Sequence, residues 1–278
     1  MRSMLRKPLW AALVALVAAL ALPTLAPAAT LPTVRVLARA HAVTVTGADA
    51  LAPGATRFAF SGTGKEVDLL VVRLKPGKTA DELIAAASRP RADPTELQDD
   101  FGDFVAGGAA GRGLKLSVDV ELTAADYVVI DITRQKPKKV ATFTVAGIPT
   151  GAALPTTSAS VTLKDFRIKA HGTFHKRGGV TVHNNGPSPH MLIAFPLRPG
   201  ASKQDALKFL KRGKERQFGR LIGGPPVALI QLITPGVTDV VHAKLRTGTW
   251  VLACFYADAR SRGMPHMMLG METAIRVK

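Results

Sequence analysis

Two landmarks recur in this chain at a single offset. Leu74-Lys75-Pro76-Gly77 and Leu197-Arg198-Pro199-Gly200 each precede a helix-like run, and Tyr127-Val128-Val129-Ile130 matches Trp250-Val251-Leu252-Ala253; both pairs lie 123 residues apart. Gly107-Gly108 and Gly223-Gly224 make a looser third match, and Gly107-Gly108 reads as a turn. One register shared by separate landmarks marks an internal duplication. It restricts the chain to a fold that each half can complete separately.

Short β-branched runs separated by Gly and Pro turns fill both halves. They fall at 43–46, 67–74, 114–122, 127–133 and 140–145, then at 161–168, 180–182, 191–197, 228–233, 237–245, 250–256 and 272–277. This pattern predicts an all-β fold of two tandem Greek-key β-sandwiches. Helical insertions are expected over 79–88 and 202–211, each opened by a capping residue after a Pro-Gly turn, and over 94–104. The organisation read from these signals is a signal peptide at 1–28, a first sandwich at 29–147, a linker at 148–158 rich in Pro, Thr, Ser and Ala, and a second sandwich at 159–278.

The first 28 residues carry Arg2, Arg6 and Lys7, then the apolar run from Leu9 to Leu22, then Ala26-Pro27-Ala28. That order predicts a cleavable secretory signal and a secreted or extracytoplasmic protein. No later segment is long and apolar enough to span a bilayer. Beyond residue 28 the net charge is +14. The cations lack the interleaved aromatics of a single-strand binder, so nucleic acid is not the expected partner. The charge is read as steering toward an acidic partner or an anionic membrane surface. Gly-x-Ser-x-Gly, His-Glu-x-x-His and P-loop signatures are missing, and Asp81-Glu82 and Asp99-Asp100 read as solvated helix faces.

Chemistry concentrates near the end. Asn184-Asn185-Gly186-Pro187-Ser188-Pro189-His190, then Cys254, then Pro265-His266-Met267-Met268-Leu269-Gly270-Met271 supply two His, one Cys and one Met. A thiolate and a thioether are soft donors that favour Cu(I), imidazoles suit Cu(II), and together they form the His₂Cys-plus-Met set of a blue-copper centre. Cys254 is the only cysteine, so no disulfide within the chain accounts for it. At the offset of 123, His190 falls on Val67 and Cys254 on Asp131. The first half has His41 alone, and the five methionines beyond the signal all lie in the second half. The first copy is therefore read as metal-free and structural, orienting the second or binding a partner. His171, His175, His183 and His242 read as surface or turn residues.

The second half resembles the cupredoxin family of plastocyanin-like blue-copper proteins. The resemblance lies in a His after an Asn/Gly/Pro turn (His190), a Cys closing a strand (Cys254), and Pro265-His266-Met267-Met268-Leu269-Gly270-Met271 before the last strand. It covers about residues 158–278 and implies one type-1 copper, with His190, Cys254 and His266 equatorial and Met271 axial. It implies a redox partner protein, with electrons leaving through His266 and the methionines forming an apolar patch around it. Eleven residues separate Cys254 from His266, more than in plastocyanin, and the polar insert 258–262 is expected to be a mobile excursion. Met191 follows His190 where the family often has a bracing Asn, which predicts a looser loop. A His-Cys-His run and a second His set are missing, so an electron carrier or copper binder is expected rather than a copper oxidase. Two other readings stay open: a metal-free structural or interaction module, and Cu(I) storage or delivery through the Met-rich loop.

Overall fold

The computed structural model describes residues 30–278 apart from 40, 41, 91, 135 and 136; the signal reading for 1–28, and His41, lie outside the described residues. The first half runs β1 (Thr33–Ala38), β2 (Val43–Thr46), β3 (Gly54–Gly62), β4 (Val67–Leu74), α1 (Ala80–Ala87), α2 (Pro94–Phe101), β5 (Gly102–Ala110), β6 (Lys115–Leu122), β7 (Ala125–Asp131) and β8 (Lys138–Val145). The second runs β9 (Ala159–Lys164), β10 (Arg167–Gly172), β11 (Gly179–Asn184), β12 (His190–Pro196), α3 (Lys203–Lys211), α4 (Glu215–Leu221), β13 (Val227–Ile233), β14 (Thr238–Ala243), β15 (Gly248–Ala253), a 3₁₀ turn (His266–Leu269) and β16 (Glu272–Val277).

The two halves repeat one topology. In the first, β2-β1-β3-β6 forms one sheet and β5-β4-β7-β8 the other; in the second, β10-β9-β11-β14 and β13-β12-β15-β16 do the same. Each includes one parallel pairing, β1 with β3 and β9 with β11. Both halves are thus Greek-key β-sandwiches of the expected all-β class, with helical insertions.

The sheets of the two halves are fused. β6 pairs antiparallel with β14, joining the two four-stranded layers into one eight-stranded sheet. Val118 sits opposite Val241, and the flanking register is symmetric about that pair. These two residues are 123 apart, so the sequence offset reappears as a local two-fold relation between β6 and β14. The second layers meet through β5 and β13, where the Thr234 amide donates to the Phe104 carbonyl (3.1 Å). This contact corrects the reading of Gly107-Gly108 as a turn: both lie inside β5. A Cβ on Gly107 would come 2.9 Å from the Leu69 carbonyl and 3.1 Å from Gln231 Cβ, and one on Gly108 would press 2.7 Å from Phe60. Only glycine lets the strand approach its neighbours this closely.

Local signals explain the helices. Thr79 and Glu82 form a capping box on α1, and the Ser202 hydroxyl accepts from the Asp205 amide at the start of α3. α2 stops at Phe101, three residues before the expected end, because Gly102 opens β5. α4 has no local signal of this kind; it lacks a side-chain cap and is held by burying Phe218. Helices over the outer face change the strand below them. In β15, Trp250 to Ala253 are all buried because Leu210 and Phe218 of α3 and α4 cover Val251 and Ala253. β11, without such a cover, alternates buried and half-buried residues. No helix among the described residues is long and apolar enough to cross a membrane.

Candidate metal centre

Four backbone devices bring the sequence-predicted donors to one end of the second sandwich. His190 opens β12 and follows a loop braced by Asn184. The buried Asn184 amide nitrogen donates to the carbonyls of Ser188 and Ile233 (2.9 Å each), and its oxygen accepts from the Gly186 amide (2.9 Å). The looser loop expected from Met191 is therefore corrected, because the brace comes from six residues upstream of His190. Cys254 directly follows β15, its amide donating to the Met271 carbonyl (3.1 Å) and its carbonyl accepting from the Met267 amide (2.8 Å). His266 opens the 3₁₀ turn, its amide donating to the Tyr256 carbonyl (2.8 Å). Gly270, at φ 110°, reverses the chain so that the Met271 amide returns to the His266 carbonyl (3.0 Å).

His190, Cys254, His266 and Met271 are all fully buried. The two Nδ1 atoms lie 3.3 Å apart, and Cys254 Sγ lies 4.0 Å from His190 Nδ1 and 3.8 Å from His266 Nδ1. A single ion with bonds of about 2.0–2.3 Å to N and S would hold such donors about 3.3–3.7 Å apart. The spacing therefore fits one metal ion with little adjustment. Among the described residues this is the one such three-donor group of His, Cys, Asp and Glu. Met271 is placed beside Cys254 by the backbone bond from the Cys254 amide.

The protonation states suit metal uptake. Burial lowers the His190 imidazole to about 3, helped by His266 and opposed by Asp258, so the ring is neutral. Burial pushes the Cys254 thiol up to about 12, against the backbone N–H groups of Met191 and Tyr256. An unpaired thiolate is costly in this dry pocket, whereas a bound cation would replace the thiol proton.

Each ring also turns its Nε2 toward a carboxylate. His190 Nε2 is 3.1 Å from Asp165 Oδ1, and His266 Nε2 is 3.4 Å from Asp258 Oδ1. Neither approach is aligned as a hydrogen bond, and both Nε2 atoms have no other partner. Burial opposes ionisation of Asp258, but the Ser261 amide, the Ser188 hydroxyl and His266 outweigh it and hold the carboxyl below its usual range. These carboxylates were not legible as site residues, since nothing in their spacing marks them. Phe166, beside Asp165, has φ 59°, an outlier for a bulky side chain, and its ring meets His266 edge-on at 5.0 Å.

The insert is the largest correction. Asp258 and Ser261 are buried, and the Ser261 amide donates to Asp258 Oδ1 (2.7 Å) while the Asp258 amide donates to Ser261 Oγ (2.9 Å). With the Gly263 amide on the Asp258 carbonyl (2.9 Å), the segment is a hydrogen-bonded lid rather than a mobile excursion. It closes over His266, which is 0% exposed, so the expected exposed ligand edge and its methionine patch are not there. Met267 is buried against α3 and α4, while Met264 is exposed. The first half helps hold the lid. The Tyr256 ring meets His266 at 5.3 Å, and its hydroxyl reaches Thr95 (2.8 Å) and Asp93 (3.1 Å) at the start of α2.

The matching end of the first half carries no such set among the described residues. Val67 opens β4, and Asp131 closes β7 with its carboxylate capping the Thr133 amide (2.9 Å). Arg39, Lys65, Arg134 and Lys138 line an open cleft of about 570 Å³ there.

No known family profile and no curated protein matches the chain. Among solved structures it is similar to dithionite-reduced auracyanin from the photosynthetic bacterium Roseiflexus castenholzii, at 15% identity over 43% of this chain and 94% of that one, with a TM-score of 0.27. It is also similar to a multicopper oxidase, at 10% identity over 88% of each chain and a TM-score of 0.24. A third is the copper-containing nitrite reductase of Thermus scotoductus, at 11% identity over 88% of this chain and 68% of that one, with a TM-score of 0.24. At these identities and TM-scores none of the three assigns a family; the functional reading rests on the donor atoms of His190, Cys254 and His266.

Proposed function

We propose that this chain is an extracytoplasmic copper protein in which His190, Cys254 and His266 would hold one type-1 ion, with Met271 as a weaker fourth donor, and that it passes single electrons. The convergence of two Nδ1 atoms and one Sγ in a fully buried pocket carries this reading. When bound, copper supplies a one-electron Cu(II)/Cu(I) couple, and a mixed hard and soft donor set suits both states. The protein's own part is to hold the donors still and dry. Asn184 fixes the His190 loop, the Cys254 and Met271 backbones are tied together, and Asp165 and Asp258 face the outward ring nitrogens. Phe166 and Tyr256 close the pocket edge-on. A carrier is proposed rather than an oxidase on the sequence, which lacks a His-Cys-His run and a second His set.

The first half keeps the same sandwich without the donors, which favours a metal-free module as the second reading. Cu(I) delivery through the methionines fits less well, since Met267 and Met271 are buried in different clusters. Adding Cu(II) to the purified chain and to Cys254→Ser separates these readings. An intense visible thiolate-to-copper band, absent from the variant, is the expected result. A colourless chain whose melting ignores copper would establish the metal-free module. Cu(I) affinity that survives Cys254→Ser but falls on substitution of Met264, Met267 and Met268 would establish delivery.

A further inference from the structure

The net charge is not spread over the molecule. Residues 30–147 hold 15 Lys and Arg against 14 Asp and Glu, whereas residues 159–278 hold 19 against 6. Within the second half the cations peak on the α3–α4 pair. Lys203, Lys208, Lys211, Arg212, Lys214, Arg216 and Arg220 are all exposed, with only Asp205 and Glu215 among them. None of the seven forms a salt bridge among the described residues. The equivalent pair in the first half, residues 80–101, has the opposite sign, with six Asp and Glu against two Arg. The basic character therefore belongs to this copy, not to the scaffold.

The basic pair also backs the metal centre. Ala206, Leu210 and Phe218 pack on Val251 and Ala253, which precede Cys254 on β15, and on Met267, which follows His266. Met268 reaches the turn between the helices, its methyl 3.3 Å from where a Cβ on Gly213 would stand. The Met267 amide donates a hydrogen bond to the Cys254 carbonyl (2.8 Å). With the His266 edge shut under Asp258, this side offers a short covalent and hydrogen-bonded route from the donors to a charged surface.

We infer that the α3–α4 face is where an acidic redox protein docks, with electrons passing through the 266–268 turn. The inference rests on the copper reading of the buried centre. Positive potential over a defined face speeds encounter with an anionic partner and fixes its orientation. A neutral or basic partner would gain nothing from seven unpaired cations, and the His266 edge is closed to any partner.

The test uses one haem protein in two charge states: cytochrome c, which is cationic, and the same protein with its lysines succinylated, which is anionic. Electron exchange with the copper-loaded chain is followed by stopped flow at low ionic strength. Lys208, Arg212, Lys214 and Arg216 are changed together to Glu, with the same four changed to Gln as a milder companion. The control reverses Lys176, Arg177, Lys244 and Lys278, which line a separate cleft of the second half. The expected result is a fall of about tenfold or more in exchange with the anionic protein for the α3–α4 variants, graded from Gln to Glu. The control should change it less than about threefold, and salt at about 1 M, where the Debye length is about 3 Å, should erase the difference. Equal losses in both sets would overturn the inference, because net charge alone would then explain them. So would an unchanged rate in the α3–α4 variants, including one accompanied by lost binding to duplex DNA or phosphatidylglycerol vesicles. Absence of the visible band in the starting chain would instead overturn the copper reading, and it is seen before any exchange is measured.

Discussion

Asn184 is the residue on which the His190 loop depends most directly. Its side chain makes three buried hydrogen bonds, to the Ser188 and Ile233 carbonyls and from the Gly186 amide, and the residue has no exposure. Asn184→Ala leaves all three partners unpaired. At about 1 kcal/mol net per bond the loss is about 3 kcal/mol, reduced to about 2 if a water enters the space and bridges two of them. For a chain of this size, about 2–4 °C per kcal/mol puts the fall in melting temperature at about 4–12 °C. The loop also sets the position of His190, so copper affinity should fall by about tenfold to a hundredfold, as for other residues that orient a ligand. Asn184→Asp is the sharper probe. Its carboxylate can still accept from Gly186 but faces the two carbonyls it should donate to. That environment raises the folded-state pKa, so the variant is most stable at low pH and loses stability as pH rises through that value. Thermal melts of the copper-free chain from about pH 4 to 8, with chelator competition for affinity, measure both effects. A loss under about 1 kcal/mol with unchanged affinity would refute the bracing role, and a pH-independent deficit in the Asp variant would refute the donor assignment.

Three other substitutions probe separate parts of the structure. Asp239 is fully buried on β14 with neither oxygen paired, and burial raises its carboxyl well above the ordinary range, helped by Asp119. Asp239→Val should stabilise the protein by about 1–3 kcal/mol. Because the folded pKa is the raised one, the wild type loses stability as pH rises from the unfolded value; the gap in melting temperature should widen over that range, and a flat gap would count against it. Tyr256→Phe removes the hydroxyl that reaches Thr95 and Asp93 but keeps the ring on His266. It should cost about 1 kcal/mol in melts and leave the visible band in place; loss of the band would show that the lid needs the first half to form the centre. Gly107→Ala should destabilise by about 1–3 kcal/mol through the clash with Leu69 and Gln231, and an unchanged melting temperature would contradict the close approach of β5 and β13.

The parts of this molecule that are legible in sequence are those in which each residue's role depends on near neighbours. Strand runs show their period, caps sit next to the helices they start, and the His190, Cys254, His266 and Met271 segments each keep a local signature. The rest depends on approach between distant segments. Gly107-Gly108 looks like a turn because glycine usually marks one, yet here it lets β5 meet Gln231 from the other half. Asp165 and Asp258 look like ordinary polar loop residues until the fold sets them against the rings of His190 and His266. The insert is a case of the same kind. Its polar groups suggest solvent, but Asp258 and Ser261 bond to one another and are buried, while Arg260 and Arg262 between and beside them stay exposed. Burying Asp258 against His266 shuts that side of the centre, while Met268, later in the same 3₁₀ turn, stays half-buried beside the turn between α3 and α4. The helical pair is present in both halves, so the cations of the second sit on an element that the scaffold carries in either sign. The acidic pair of the first half instead faces the lid side, where Asp93, which caps α2, and Thr95 hold the Tyr256 hydroxyl.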